Sequence, residues 1–236
     1  VIPSRITDVV YLRFPVQENN CLIKKSPGIS AMFVGRPTKE KGFHLLPQIA
    51  AILKKEGIEV EWYLVGISQK NDFQQWPNVK IIFYEELNND ALLKKMCQMW
   101  FLLLPSSAEG MPVSVIEAMK AAVVPIVNDL SGGVQELIEN EITGFTIKEN
   151  SVSDYASVIK TVSQNSLLMS RIQERAKQKA DLLFEPIANT SLYEIFFATC
   201  KHKQNKKRAI KVYGSRLDRS WVPNIFTTTL RKIKNG

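Results

Sequence analysis

Apolar residues along this chain gather into short continuous runs separated by segments of helical spacing. Six runs have strand length: Ile29–Val34, Val60–Val65, Val79–Phe83, Trp100–Leu104, Pro125–Val127 and Thr143–Ile147. Between them, Phe43–Lys55 carries Leu45, Leu46, Ile49, Ile52 and Leu53 at helical intervals. Asn88–Gln98 does the same with Leu92, Leu93 and Met96, and Asn88 or Asn89 is a suitable cap. Helices are predicted also over Pro112–Ala121, Val134–Asn140, Val152–Asn165, Leu167–Leu183 and, after the break at Glu185-Pro186, Ile187–Cys200.

Strands and helices alternating at this pitch build a parallel sheet, because parallel neighbours need a crossover and the crossover is usually a helix. Trp100–Leu104 is apolar throughout, as a strand covered on both faces must be. The expected fold class is therefore α/β, a Rossmann-like parallel sheet with helices on both faces. Residues 1–28, punctuated by Pro3, Pro15, Pro27 and Gly28, read as an entry segment. Residues 29–184 form the α/β domain, and 185–236 a C-terminal helix and basic tail.

Ligands of such sheets bind beyond the carboxyl ends of the strands, which directs attention to the loops after them. The loop after Leu104 runs Pro105-Ser-Ser-Ala-Glu-Gly-Met into Pro112, a residue suited to a first helical turn. Free backbone N–H groups near Met111, Val113 and Ser114 would then face an anion. Glu109 can reach hydroxyl groups in that loop, and Glu117, one turn into the helix, can chelate a vicinal diol. The loop after Val34 brings Gly35, Arg36 and Lys41 to the same edge: a glycine admitting close approach, a forked cation and a point charge. Lys39 reads as a solvated neighbour, and His44 as a surface helix position.

The segment Glu109-Gly-Met-Pro-Val-Ser-Val-Ile-Glu117-Ala-Met resembles the Glu-x7-Glu signature of retaining GT-B glycosyltransferases, family 4 in particular. By that resemblance Glu109 contacts the donor sugar, Glu117 holds the nucleotide ribose, and Arg36 and Lys41 neutralise the donor diphosphate. Glu109, Arg36 and Lys41 become the candidate catalytic residues. Gly35, Gly66, Tyr84, Gly110, Met111, Val113, Ser114 and Glu117 become the candidate donor-binding residues. Leu64-Val-Gly66, Ser131-Gly-Gly and Thr143-Gly-Phe are similar to further family segments, so the likeness runs from residue 29 to about 190. Two positions depart from it: Tyr84 stands for a glycine after the third strand, and Ala122 for a glycine after the helix.

The resemblance implies retaining hexosyl transfer from a nucleotide-diphosphate sugar without a cofactor or metal, to a glycan or lipid-linked acceptor. It also implies a second, N-terminal acceptor-binding domain. Val1-Ile-Pro-Ser resembles the family's entry into its second domain, so the expected partner domain lies on a removed segment or on another polypeptide, or is absent, and this chain alone should bind donor without turning it over. Two alternatives share the frame: a GT-B nucleotide-sugar epimerase and a non-catalytic nucleotide-sugar-binding subunit. A dinucleotide dehydrogenase is disfavoured, because no Gly-x-Gly-x-x-Gly follows the first strand.

Composition adds three constraints. Cys21, Cys97 and Cys200 are scattered and odd in number, which argues against a disulfide framework and suits a reducing cytoplasm. The uncharged stretch Met96–Ala108 is too short for the roughly 20 apolar residues of a membrane span. Eleven of the 31 Lys and Arg and one of the 23 Asp and Glu lie from Lys201 onward, so the tail carries +10 of a net +8 and the first 200 residues carry −2. The tail is thus a candidate contact for the anionic, cytoplasmic face of a membrane, beside two other readings: a solvated charge run, or the continuation of a C-terminal helix that, by the resemblance, crosses back to the other domain. Its basic stretch lacks the interleaved aromatics of a nucleic-acid surface, and no nucleic-acid partner is expected.

Overall fold

A computed structural model describes Arg13, Val16 and residues 24–68, 76–148 and 151–199. Six strands form one sheet: β1 (Ile29–Val34), β2 (Val60–Val65), β3 (Ile81–Tyr84), β4 (Phe101–Leu104), β5 (Val124–Asn128) and β6 (Phe145–Ile147). All pairings are parallel, in the order β3-β2-β1-β4-β5-β6. The Rossmann-like parallel sheet expected from the pattern is what the chain forms. The order reverses between β1 and β4, the switch point beside which ligands of such sheets bind.

The helices are α1 (Leu46–Lys55), α2 (Asn89–Met96), α3 (Val113–Lys120), α4 (Gly133–Leu137), α5 (Val152–Ser163), α6 (Ser166–Leu183) and α7 (Pro186–Thr199). Alternate strand residues face opposite ways, and each set meets its own helices. Met32, Tyr63, Leu102 and Leu104 pack with Leu92 and Met96 of α2, Val115 and Met119 of α3, and Ala176 and Ala180 of α6. Ala31, Phe33, Trp62, Leu64 and Leu103 pack with Leu46, Ile49 and Leu53 of α1, and Tyr155 and Ile159 of α5. Both faces of the sheet are therefore covered. This explains why β4 is buried at every residue.

Several boundaries differ from the pattern for local reasons. Phe43–Leu45 is a 3-10 turn, and α1 starts only at Leu46, where Pro47 can occupy a first-turn position without needing an N–H. The third strand begins at Ile81 and keeps Tyr84 as its last residue, since the N–H groups of Gly66 and Ile67 both donate to the Tyr84 carbonyl. Tyr84 is thus a strand residue, where a loop residue was expected. Asn88 caps α2 by accepting from the Ala91 N–H at 2.9 Å, and Asn165, expected within α5, caps α6 through the Leu168 N–H at 3.0 Å. α4 stops at Leu137 because Ile138 turns extended, with Thr143 Oγ1 donating to the Leu137 carbonyl. Pro186 opens α7. Cys21, Cys200 and the basic tail expected from Lys201 onward lie outside the described residues.

Ala122 explains one departure from the expected pattern. It follows the C-cap of α3 with φ +51, the left-handed conformation that glycine usually supplies. The Ala122 N–H donates to the Met119 carbonyl and the Val123 N–H to that of Ala118, the paired bonds of a Schellman motif. Lys25 Nζ donates to the carbonyls of Met99 and Ala122 at 2.7 and 2.6 Å, holding this turn from outside the sheet. Burial pulls the Lys25 ammonium down to about 8.

By its contacts the chain divides into two compact units, Val1–Ile195 and Phe196–Gly236. In the second, the described residues are Phe196–Thr199, where the rings of Phe196 and Phe197 meet edge to face.

Candidate functional site

The loops after β1 and β4 meet at the switch point. Lys41 Nζ donates to Glu109 Oε1 at 2.8 Å, joining residues 68 positions apart, and the two side chains are only 25% and 11% exposed. The contact is possible because Gly42 lies against the Pro105 backbone. A Cβ at Gly42 would stand 1.9 Å from the Pro105 carbonyl oxygen, and its φ of +69 also excludes other residues without strain. The Ser107 N–H donates to the Glu40 carbonyl at 2.8 Å, stitching the loops once more.

Beyond Glu109 the chain turns through Gly110 and Met111 into α3. Pro112 is the N-cap and not the first helical residue as anticipated: its ψ of 101° is extended, and its carbonyl accepts from Val115 and Ile116. The N–H groups of Met111, Val113 and Ser114 have no acceptor among the described residues. They form the positive end of an eight-residue helix, with Val113 45% exposed beside them. Glu117, one turn on, is 8% exposed and accepts no side-chain hydrogen bond among the described residues. Burial raises its carboxyl above the ordinary range.

The remaining candidates line the carboxyl edge on the other side of the switch. Gly35 and Gly66 extend the ladder past β1 and β2, the Gly35 N–H donating to Val65 at 3.0 Å and that of Gly66 to Tyr84 at 2.9 Å. Arg36 is exposed and makes no ion pair among the described residues. The Tyr84 ring is half-buried with Lys95 Nζ of α2 at 5.8 Å from its centre. Lys41, Glu109 and the start of α3 are thus brought together directly. Gly35, Arg36, Gly66 and Tyr84 share the edge without touching that group.

Three features behind the loop went unread in the sequence. Gly133 at the start of α4 abuts it from the far side; a Cβ there would lie 2.1 Å from the Gly110 carbonyl oxygen. Asn128, the last residue of β5, donates from Nδ2 to the Ser106 carbonyl at 2.8 Å. Tyr155 of α5 donates its hydroxyl to Asn128 Oδ1 at 3.0 Å. A polar residue closing the apolar run Val-Pro-Ile-Val was the available signal for Asn128; Tyr155 carries none. Among the described residues, no group of three His, Cys, Asp or Glu could hold a metal ion, and no helix is long and apolar enough to cross a membrane.

This combination, a doubly wound sheet whose switch-point loops present cations, carboxylates and a helix N-terminus, defines a Rossmann-type domain, a class whose ligands bind at the carboxyl edge. Residues 22–179, more than half of the chain, match the model of the family "Glycosyl transferases group 1", and the chain belongs to that family. It is 26% identical over 177 residues to the amylovoran biosynthesis glycosyltransferase AmsK of Erwinia amylovora, covering 69% of this chain and 43% of that protein. The chain spans about two fifths of the length of such curated relatives. Among solved structures, Staphylococcus aureus TarM, in complex with UDP and α-GlcNAc-glycerol among others, superposes with a TM-score of 0.68 at 19% identity, covering 82% of this chain and 40% of that one. Anabaena HepE, in complex with UDP and glucose, superposes with a TM-score of 0.63 at 19% identity over 73% of this chain and 48% of that one. These likenesses place the fold among GT-B glycosyltransferases.

Proposed function

We propose that this chain binds a nucleotide-diphosphate sugar at the switch point and serves as the donor half of a retaining, metal-independent hexosyltransferase. The observation that carries the reading is the meeting of Lys41 and Glu109 at the unpaired N-terminus of α3. A diphosphate is a doubly charged anion flanked by hydroxyl-bearing rings. It needs cations and free N–H groups at its centre and carboxylates on either side. Arg36, Lys41 and the N–H groups of Met111, Val113 and Ser114 supply the first. Glu109 on the sugar side and Glu117 on the ribose side supply the second.

In the transfer step, charge accumulates on the departing diphosphate. Fixed cations and helix N–H groups stabilise that charge where a metal would otherwise be needed, and they cost no reorganisation during the reaction. Gly35, Gly66, Gly110 and Tyr84 would line the approach. In the ligand-free chain Glu109 neutralises Lys41, so an arriving diphosphate exchanges one anion for another. The acceptor would be held by an opposing domain outside these residues, and turnover by this chain alone is not expected. AmsK, of which the match covers 43%, is named for amylovoran biosynthesis, which favours a glycan or lipid-linked acceptor. A cytoplasmic setting belongs to the same proposal, and Cys97 is buried and forms no disulfide among the described residues.

Thermal shift and calorimetry with UDP, GDP and ADP, each free and as its sugar, test the reading. One base should give saturable binding, tighter with the sugar attached. No response to any of the six ligands would overturn it.

A peripheral membrane contact is a further part of this reading. In the first unit, α7 exposes Ile187, Leu192 and Ile195, and six of the eleven residues from Lys201 to Lys211 are Lys or Arg. Each basic residue near an anionic surface contributes about 1 kcal/mol. Co-sedimentation with vesicles containing phosphatidylglycerol, and its absence with phosphatidylcholine alone, is expected; equal behaviour with both would remove the electrostatic contact.

A further inference from the structure

We infer that Tyr155, although it lies on α5 and faces the sheet interior, is a positioning residue for the donor loop, acting through Asn128 on the Ser106 carbonyl. The inference rests on the donor-site reading above for its functional consequence, but the tie itself is geometric. Tyr155 is fully buried, as are Ser106 and Asn128 to within 1%. The hydroxyl donates to Asn128 Oδ1 at 3.0 Å, and Asn128 Nδ2 donates to the Ser106 carbonyl at 2.8 Å.

The direction of this relay is forced. A backbone carbonyl can only accept, so Nδ2 must face Ser106 and Oδ1 must face Tyr155. Burial holds the Tyr155 phenol well above its usual range, so it keeps its proton and remains the donor. A side-chain amide can turn over, and the Tyr155 hydroxyl at Oδ1 adds a second hold on the orientation that the Ser106 carbonyl selects. The Ser106 hydroxyl is itself buried without a partner among the described residues, so no second side-chain bond among them anchors that residue. Three residues further on stands Glu109. The packing of Gly42 and Gly133 sets the loop from its two sides, while the relay fixes it from beneath.

Glu117 and the α3 amides belong to the helix and do not hang from Ser106. Loss of the Tyr155 hydroxyl should therefore loosen Glu109 and spare the nucleotide end of the site. A structural role alone would weaken everything in proportion to stability.

The test compares the wild-type chain with Tyr155→Phe, Asn128→Ala, the double variant and Ile159→Val, a core trimming on the same helix that serves as a stability-matched control. Hydrogen exchange of the ligand-free chain should rise roughly tenfold at residues 106–109 in Tyr155→Phe, beyond any change in β4 or α3. Titration with UDP and UDP-glucose, GDP and GDP-mannose, and ADP and ADP-glucose should show the sugar-bearing ligand weakened roughly tenfold, the free nucleotide within about twofold, and neither effect in Ile159→Val. In the Asn128→Ala background, Tyr155→Phe should add nothing to the selectivity loss. Uniform exchange, equal losses for both ligands, or additive effects in the double variant would overturn the inference. If wild type binds none of the six, the proposed function fails; local exchange at residues 106–109 still decides the tie, and without it the tie fails too.

Discussion

Replacing Gly133 by alanine adds one methyl group at the point where α4 meets the donor loop, and its effect can be worked from distances. The new Cβ would stand 2.1 Å from the Gly110 carbonyl oxygen, 2.9 Å from Met111 Cα and 3.0 Å from the Gly110 carbonyl carbon, where ordinary contact begins at 3.4 Å. Gly133 does not have a positive φ, so the backbone conformation itself accepts alanine and the penalty is steric. All three atoms are backbone and cannot rotate away. Either α4 or the loop must therefore retreat by about 1 Å. Overpacking of this kind costs roughly 1–3 kcal/mol. For a domain of this size that lowers Tm by roughly 2–12 °C, at about 2–4 °C per kcal/mol. A displacement of about 1 Å at Gly110-Met111 also moves Glu109 and the first amides of α3, and misplacement on that scale can cost up to about a hundredfold in function. Differential scanning calorimetry reads the first effect and nucleotide-sugar titration the second. Gly110→Ala is the stability control, since a Cβ there meets nothing within 4 Å, and its Tm should stay within about 1 °C of wild type. A Gly133→Ala chain as stable and as tightly binding as wild type would refute the close approach of α4 to the loop.

Three further outcomes are expected. Ala122→Gly should raise Tm by roughly 2–4 °C, because it relieves about 1 kcal/mol of left-handed strain at φ +51 while leaving both Schellman bonds intact; an unchanged or lower Tm in calorimetry would show the turn is unstrained. Glu117→Gln should stabilise the chain above the ordinary carboxylate pKa of 4.5 and not below it. Burial raises the folded-state pKa, so the folded state binds the Glu117 proton more tightly than the unfolded one and loses stability as pH rises through that interval; a Tm difference from wild type that does not grow between pH 4 and pH 7 would contradict this sign, and weaker nucleotide binding should accompany the gain. Arg36→Ala should weaken nucleotide-diphosphate binding by roughly 1.5–3 kcal/mol, the scale of one charged hydrogen bond, with little change in Tm because Arg36 is exposed and unpaired among the described residues; unchanged affinity in calorimetry would remove it from the site.

The parts of this molecule that could be read from its sequence are those in which cause and effect lie close together along the chain. Six apolar runs separated by amphipathic segments specify a parallel sheet, because burial on both faces demands continuous apolar strands and each crossover demands a helix. The segment from Glu109 to Glu117 was legible for a similar reason: a carboxylate, a glycine, a proline and a helix start within nine residues define a local geometry whatever surrounds them. Boundaries were less legible. Tyr84 joined β3 because its carbonyl is claimed by Gly66 and Ile67, just past the neighbouring strand β2, and no property of residues 79–84 announces that. The support of the site was least legible of all. Gly133 looks like any turn glycine until Gly110 is placed 2.1 Å from its absent side chain, and Tyr155 is one apolar-face residue among several on α5 until Asn128 is set opposite its hydroxyl. Such residues are selected by three-dimensional neighbours contributed from elsewhere in the chain, so a local pattern cannot register them. This division has a consequence for how the site can vary. A change within residues 109–117 alters which groups face the ligand. A change at Gly42, Asn128, Gly133 or Tyr155 leaves those groups in place by name and alters where they stand, at the two glycines with a cost in stability as well.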